Sequence, residues 1–423
     1  MEEELSNFIK VWISIFISIT YSYAIGKLVP KGTKRLLCLL PIVCLFLLLP
    51  LNLSSVHLGG GTAFVISWLG SFKLLLFAFG KGPLASNPSI PLSHFMVLAC
   101  LPIEIQQNPP QKPMQKLKNG QNREIPPQKS PAYKTPSSQK PNSNDQIEEN
   151  PSQKPWQKLQ NGQNNENPPQ KSPNYKNPSS QKSTPNAQIR SRKGQKGAIN
   201  YTIKALLLAI LFRLSDHREN IHQNLILILY AISIYLLLET VLATIAILVR
   251  TLSGLDLEPY FNEPYLSTSL QDFWGRRWNL TVTRILRPTV YEPTIAFSEQ
   301  LIGRRWAPLP AVMATFLVSG LFHELIYFNM GRVSPTWEVT GFFLLQGCCL
   351  AVEFVLKKKV AGRWQLPRFL SVPLTVGFVM LTGFWLFFPQ FLRCEADLRL
   401  VQEYAAFGGV LKSLSQRLLP FVW

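Results

Sequence analysis

Long apolar runs separated by short polar turns make up most of this chain. Nine of them approach the length of about 20 residues that a membrane-spanning helix needs. They cover residues 8–26, 36–53, 62–79, 201–214, 225–249, 309–328, 339–356, 370–388 and, with weaker apolar character, 400–422. The pattern predicts an all-α, multi-pass integral membrane protein with eight or nine transmembrane helices.

A polar stretch, residues 104–200, interrupts this pattern and divides the chain into three parts. The segment that starts at Asn108 reappears, with substitutions, 42 residues later at Asn150. Neither copy has an apolar face, so stacked copies would not bury a core as a solenoid does. We interpret residues 104–200 as a disordered Pro/Gln/Lys-rich insert. It separates N-terminal transmembrane helices, residues 1–103, from a C-terminal transmembrane catalytic region, residues 201–423.

Charge changes this picture mainly at the insert. The insert carries 16 Lys and Arg residues and six Asp and Glu residues, and thus +10 of the net charge of +19. Such a tether could contact anionic headgroups of the bilayer, but a solvated linker is the simpler interpretation. With three aromatic residues and no folded module around them, the insert predicts no nucleic-acid binding.

Two short basic turns, residues 26–35 and 357–368, orient the chain in the membrane. Lys and Arg near span ends favour the cytoplasmic side. Both turns fall on this side if nine spans alternate, which predicts a lumenal N-terminus and a cytoplasmic segment over residues 250–308. The acidic start, which no small-residue cleavage site follows, predicts a retained first span rather than a signal peptide.

The run FLVSGLFHELIYF, residues 316–328, places His323 and Glu324 side by side at membrane depth. An ionisable group there costs at least about 2.5 kcal/mol, so such groups usually face the protein interior and mark function. A neutral imidazole can take a proton from a hydroxyl.

On a helix, His323 shares a face with Ser319 and Tyr327, whereas Glu324 is rotated by about 100°. We expect Glu324 to fix the helix to a neighbour or to tune the local field. The alternative is that His323 only bonds a carbonyl between helices and Glu324 pairs with a basic residue.

A second group of polar and aromatic residues lies in segment 258–293. A hydroxyl residue at or near Ser267 could cap a helix that continues to about Arg287. This interfacial helix would have an arginine stripe near phosphates, a tryptophan and aliphatic stripe at headgroup level, and a polar stripe facing the protein. The three stripes comprise Arg276, Arg277, Arg284 and Arg287; Trp274, Trp278, Val282 and Ile285; and Asp272, Asn279 and Thr283.

The possible ligands of this helix stay open at this point. The arginine stripe suits either lipid headgroups or the phosphates of a cytosolic nucleotide-bearing substrate. Asn279 is either an ordinary buried hydrogen-bonding residue or a site residue. The five histidines and six cysteines show no metal-binding spacing, so we predict no metal site. The sequence also contains no P-loop and no serine-hydrolase motif.

The sequence QDFWGRRWNLTVTRILRPTVYEP, residues 271–293, is followed at a distance by FLVSGLFHELIYF. This pair of motifs resembles the plant wax synthase family, the jojoba-type long-chain-alcohol O-fatty-acyltransferases within the membrane-bound O-acyltransferases. The resemblance covers nearly all of the chain outside the insert, including the start MEEELSNFIKVWISI. The insert departs from the family, in which the corresponding segment is shorter.

The resemblance implies an enzyme of the endoplasmic reticulum membrane that transfers a fatty acyl group from acyl-CoA to a long-chain alcohol and so makes wax esters. His323 matches the histidine taken as catalytic, and Asn279 matches the polar partner in the RWN motif. We expect His323 to act as general base and Asn279 as an orienting or oxyanion-stabilising group. Acyl-CoA is then a co-substrate, and no cofactor is expected. Substrate contacts are expected from Trp274, Arg277, Trp278, Asp272, Glu324 and Ser319.

Other functions stay open on the sequence alone. The same base and chamber would serve a sterol or diacylglycerol acceptor. A transporter would also hold a buried His and Glu, but the two halves of the chain show no corresponding broken helices or charges. A membrane scaffold with the basic insert as its working part is the third alternative. Neither the oligomeric state nor the acyl chain length follows from the sequence.

Overall fold

The computed structural model describes residues 2–85, 90–102, 200–211, 213–214, 221–253, 258–360 and 366–418. Apart from Asn200, the predicted insert lies outside these residues. The described residues form helices and short connections and contain no strand, which confirms the all-α fold. The helices before and after the insert form one compact unit.

Fourteen helices are labelled here in chain order. The first six are α1 Glu2–Leu28, α2 Thr33–Leu48, α3 Val56–Ala78, α4 Leu92–Cys100, α5 Asn200–Leu211 and α6 Gln223–Ser253. Three short ones follow, α7 Leu270–Asp272, α8 Leu280–Leu286 and α9 Glu292–Ile302. The last five are α10 Pro308–Gly331, α11 Glu338–Val360, α12 Arg368–Leu386, α13 Phe388–Arg393 and α14 Ala396–Leu418.

Seven helices within the described residues are long and apolar enough to cross a membrane. They are α1, α2 with its extension to Asn52, α3, α6, α10, α11 and α12. The apolar helix α5 is too short, and α14 is not among the seven because charged and polar residues interrupt its apolar face. The multi-pass architecture is thus confirmed, whereas the predicted count of eight or nine spans is not.

Large apolar side chains cover the outer surface of these helices. On α12, Phe369, Leu381 and Trp385 are 74%, 69% and 72% exposed. A water-soluble protein does not expose so much contiguous apolar surface, but lipid tails cover such a surface at no cost. The exposed faces are therefore those that contact the bilayer.

The N-terminal helices α1 to α4 pack around a common core that includes Ile15, Leu39 and Leu74, each fully buried. One lysine lies inside this part of the bundle. Lys73 of α3 is 0% exposed, and its ammonium group donates to the carbonyl oxygens of Leu98 and Leu101, each at 2.6 Å. These carbonyls lie at the C-terminal end of α4, where unpaired backbone acceptors and the helix dipole favour a cation. Lys73 therefore fixes the short helix α4 to α3.

Helices α10 and α11 cross in close contact. A Cβ atom on Gly320 would lie 2.9 Å from the Cα atom of Thr340, so only glycine allows the two backbones to approach this closely. On α11, a Cβ atom on Gly347 would lie 3.1 Å from the Cβ atom of Phe316. This crossing determines which side chains of α11 can reach the middle of α10.

The two basic turns lie at the same end of the bundle. Arg332, just after α10, donates to the carbonyl oxygens of Leu51 and Leu53 after α2, at 2.7 and 2.8 Å. The end of α2 and the end of α10 therefore lie together. Because α2 begins and α11 ends at the opposite end, the described parts of the two predicted basic turns, residues 26–35, 357–360 and 366–368, lie at that end.

Candidate active site

The His323 imidazole is fixed from one side by its own helix. Its Nδ1 atom lies 2.7 Å from the carbonyl oxygen of Ser319, one turn earlier on α10. A carbonyl oxygen only accepts, so Nδ1 carries the proton and donates it, and Nε2 bears the free lone pair. Within the described residues, Nε2 has no hydrogen-bond partner. The ring is thus oriented as a base.

Three aromatic rings from three other parts of the chain surround this imidazole. The ring centroids of Trp68, Phe343 and Phe387 lie 5.0, 4.4 and 5.6 Å from that of His323. Trp68 belongs to α3, Phe343 to α11, and Phe387 follows α12. Part of the His323 surface stays accessible within this aromatic cage. The imidazole therefore lies among aromatic side chains that come from distant parts of the chain.

Glu324 points away from the imidazole and serves another purpose. It is 3% exposed, and its Oε1 atom accepts a hydrogen bond from the backbone N–H of Thr340 at 3.1 Å. Thr340 lies in the first turn of α11, where backbone N–H groups lack partners within the helix. The expectation that Glu324 fixes α10 to a neighbour is confirmed, while contact of Glu324 with a substrate stays a prediction.

Ser319 contributes its backbone rather than its hydroxyl to the imidazole. The hydroxyl donates to the carbonyl oxygen of Thr315 at 3.0 Å, and the Ser319 carbonyl accepts from His323. Tyr327, one turn beyond His323, is buried, and its ring centroid lies 5.6 Å from that of Phe387. The shared face of Ser319, His323 and Tyr327 thus follows the helical spacing.

The predicted single helix from Ser267 to Arg287 is wrong. Helix α7 is capped by Ser269, whose hydroxyl accepts from Asp272 N at 3.2 Å. A π-helical turn, Phe273–Arg277, follows, and the helix then breaks before α8. Asn279 adopts a left-handed backbone conformation, with φ of 38°, which asparagine tolerates better than most residues.

Tertiary hydrogen bonds replace the helical ones at this break. Leu280 N donates to Tyr260 O at 2.8 Å, and Asn262 N donates to Arg277 O at 2.9 Å. Residues 260–262 thus form hydrogen bonds with backbone groups that would have been paired within a continuous helix. The three predicted stripes are therefore wrong, because the helix is interrupted at Trp278 and Asn279.

Most of the predicted arginine stripe is held by carboxylates. Arg277 Nε donates to Asp272 Oδ2 at 2.8 Å, and its Nη1 donates to the carbonyl oxygens of Asn262 and Glu263, each at 3.1 Å. Ion pairs also join Arg284 to Glu258 and Arg287 to Glu292, both at 3.2 Å. Arg277 and Asp272 therefore hold the segment in shape. Their contact with a substrate stays a prediction.

The two predicted tryptophans have different surroundings. Trp278 stacks on Phe273, with ring centroids 5.4 Å apart. Trp274 lies edge-on to Phe316 and tilted against Phe343, at 5.5 and 5.9 Å. Since Phe343 also contacts the His323 ring, Trp274 is one ring away from the imidazole.

A chain of hydrogen bonds extends from Trp274 into the bundle. Its Nε1 atom donates to Gln346 Oε1 at 3.2 Å, and Gln346 Nε2 donates to Thr382 Oγ1 at 2.8 Å. Gln346 is fully buried, so these bonds satisfy an amide that would otherwise be costly to bury. They fix the position of Trp274 against α11 and α12.

Asn279 lies directly before helix α8. Its Oδ1 atom is buried without a hydrogen-bond partner among the described residues. Helix α8 packs through Ile285 and Leu286 against Trp68, which contacts the His323 ring. The described residues show no direct hydrogen bond between Asn279 and His323. A common site for Asn279 and His323 therefore stays a prediction.

The sequence analysis missed several residues of this cluster. Trp68, Phe343 and Phe387 stand in apolar runs like those of any other span, so no local signal marks them. Gln346 did give a signal, because it is a polar residue within the apolar run FFLLQGCCL. Only the packing of the helices brings these side chains close to His323.

Comparisons with known proteins identify the family of this chain. The model of the membrane bound O-acyl transferase family matches residues 257–345, which include both Asn279 and His323. The acyl-CoA–sterol O-acyltransferase 1 of Arabidopsis thaliana is 39% identical over 99% of this chain and 100% of its own length. The long-chain-alcohol O-fatty-acyltransferase of Simmondsia chinensis is 39% identical over 96% of this chain and 95% of its own length.

Identity at this level over the whole length of both relatives establishes common descent and not only a shared motif. The matched segment contains the α7–α8 break, the caged histidine and the α10–α11 crossing. This chain belongs to the membrane-bound O-acyltransferase family, within its group of plant wax synthases, and is an acyltransferase.

Proposed function

We propose that this protein transfers a fatty acyl group from acyl-CoA to the hydroxyl of a long-chain alcohol, with His323 as general base. The observation that carries the proposal is the imidazole whose Nδ1 is bonded to the Ser319 carbonyl while Nε2 faces the aromatic cage without a protein partner. This tautomer can accept a proton at once, without rotating the ring.

The chemistry balances with this single base. Nε2 takes the hydroxyl proton as the alcohol oxygen attacks the thioester carbonyl carbon, which gives a tetrahedral oxyanion. The C–S bond then breaks, and the imidazolium returns the proton to the departing CoA sulfur. The products are a wax ester and free CoA. The Asn279 amide is assigned to the thioester, where its N–H donates to the carbonyl oxygen as negative charge develops.

The two substrates would reach the cage from different directions. Segment 258–308 lies at the basic end of the bundle, since Lys357 Nζ contacts Ser269 Oγ at 3.1 Å and Leu270 N bonds Glu353 Oε2 at 2.8 Å. The basic end is the cytoplasmic one by the distribution of charge, so acyl-CoA would enter there, with the protein in the endoplasmic reticulum membrane. The alcohol would arrive from the bilayer.

A sterol is the second candidate acceptor. The Arabidopsis relative named for sterol acylation matches this chain over its whole length at the same identity as the jojoba protein named for long-chain alcohols. Microsomes containing the protein, given labelled acyl-CoA and either a long-chain alcohol or a sterol, separate the two. Label in wax ester supports our proposal, and label in steryl ester alone overturns its acceptor.

The role of His323 is tested by replacing it with alanine. We expect His323→Ala to lower ester formation by about 100-fold to 10,000-fold, because general-base catalysis contributes this much. His94→Ala on α4 is the matched histidine control, expected to retain activity. Protein amount and melting temperature are measured for both variants. Normal ester formation by well-folded His323→Ala protein would refute the assignment.

A further inference from the structure

A pocket of about 460 Å3 lies at the basic end of the N-terminal helices. It shares no residue with the aromatic cage around His323. Its rim is cationic and its interior is apolar and aromatic. The residues that line it include Lys27, Lys31, Arg35, Phe77, Leu84 and Phe95.

The walls of this pocket are held by specific contacts. Tyr23 donates from its hydroxyl to the Ile90 carbonyl at 3.0 Å. Arg35 donates to the carbonyl oxygens of Gly26 and Val29, at 2.9 and 2.6 Å, and so fixes the end of α1. Helix α3 ends beside the pocket in a left-handed turn at Gly80, with φ of 69°. The cavity is therefore built from ordered backbone and side chains.

The positive charge of the rim is not neutralised by carboxylates. Residues 5–103 contain no Asp or Glu. Within the described residues, Lys27 and Lys31 are exposed and form no ion pair. Arg35 donates to backbone carbonyls and forms no ion pair within the described residues. Lys27, Lys31 and Arg35 line one pocket, and like charges in one pocket repel one another unless an anion lies between them.

Helix α2 adds to this field. It begins at Thr33 beside the pocket without a side-chain cap, and its first turn has no acidic residue. A helix N-terminus carries partial positive charge and free N–H groups, and it usually has an acid or a cap there. Here its first turn instead contains Lys34 and Arg35. Both features favour a bound anion.

We propose that this pocket binds the phosphate group of an acylated ligand, with Lys27 and Lys31 on the phosphate and the apolar interior on the chain. An anionic phospholipid of the cytoplasmic leaflet fits this chemistry, because that leaflet is rich in such lipids and the pocket lies at the basic end of the helices, which the distribution of charge assigns to the cytoplasm. The phosphates of CoA offer the same chemistry from solution. The proposal does not depend on the catalytic assignment.

The test measures binding to the purified full-length protein. Phosphatidic acid or phosphatidylcholine is titrated onto the detergent-solubilised protein, and occupancy is read by native mass spectrometry. We expect phosphatidic acid to bind more tightly, and the double variant K27Q/K31Q to bind it about thirtyfold more weakly, as two interfacial lysines contribute. The matched control K358Q/K359Q removes the same charge from the other basic turn at the same end and should bind normally.

Two further arms identify the ligand and the pocket. Free CoA is added as competitor: if it displaces phosphatidic acid and itself binds K27Q/K31Q more weakly, CoA is the phosphate source, and if it does not, the lipid is. Ala85→Trp fills the pocket without changing charge and should weaken binding as well. Unchanged binding by K27Q/K31Q, an equal loss in K358Q/K359Q, or normal binding by Ala85→Trp would each overturn the proposal.

Discussion

Two adjacent ionisable residues on α10 have separate duties. His323 turns its ring toward an aromatic cage, and Glu324 binds the first turn of α11 through Thr340 N. The helical rotation of about 100° per residue makes this division possible, because it sends neighbouring side chains to different faces. The carboxylate positions the helix that carries the base.

This division predicts different effects for two substitutions of Glu324. Gln keeps an oxygen that can accept from Thr340 N, whereas Leu leaves that buried N–H without a partner. We expect Glu324→Leu to lose about 1–3 kcal/mol of stability and Glu324→Gln clearly less. Thermal unfolding in detergent measures both. Equal melting temperatures of the two variants would contradict the assigned role of Glu324.

The crossing of α10 and α11 is the element-scale feature on which the site depends. The close approach of Gly320 to Thr340 brings Phe343 of α11 to 4.4 Å from the His323 ring. A longer distance between the helices would move the cage wall away from the base. The spacing of the two helices therefore determines how closely Phe343 packs on the His323 ring.

Alanine at Gly320 tests this directly. Its Cβ atom would lie 2.9 Å from the Cα atom of Thr340, so one helix must shift. We expect Gly320→Ala to cost about 1–3 kcal/mol and to lower ester formation. Gly341→Ala on α11 is the control, since a Cβ atom there meets nothing within 4 Å. Stability and activity are measured for both, and similar values would count against a close-packed crossing.

At the scale of the whole molecule, helix α14 contacts the start of α3 and the end of α10 at one end of the bundle. Arg399 of α14 donates to the carbonyl oxygens of Met330 and Ser54. Glu403 accepts from Val56 N at 2.7 Å and contacts His57 Nδ1 at 2.6 Å. Helix α14 thereby holds the start of α3 against the end of α10.

These contacts make stability depend on pH. Burial raises the pKa of Glu403, but hydrogen bonds from the His57 side chain and from the His57 and Val56 backbones outweigh it, and the pKa falls below its ordinary value of 4.5. A carboxyl with a lowered pKa stabilises the fold above its unfolded value and loses this contribution as the pH falls through the lowered value.

We therefore expect the wild-type protein to melt at a higher temperature than Glu403→Gln at pH 7, because only the carboxylate holds the full charge. The difference should shrink as the pH falls below 4.5. Melting temperatures of both proteins across this range provide the measurement. A difference that is independent of pH would show that charge on Glu403 contributes nothing.

The sequence by itself indicated the long apolar helices of a multi-pass membrane protein and marked His323 as the candidate base. A lipid environment requires long apolar helices with internal hydrogen bonds, so a span can be recognised from the local amino-acid composition. The same demand made His323 conspicuous, because an ionisable group in such a run is expensive. The spacing left the role of Asn279 open, and the resemblance to a family favoured a site role.

Only the tertiary structure decided the break at Asn279 and the cage around the base. Backbone hydrogen bonds to Tyr260 and Asn262 replace helical hydrogen bonds there. The helical periodicity of residues 267–287 does not predict these partners. Trp68 and Phe387 are 255 and 64 residues from His323 in the sequence. Whether these residues meet depends on how whole helices pack. The hydrophobic pattern predicts which face of a helix is buried, but it does not predict which other helix covers that face.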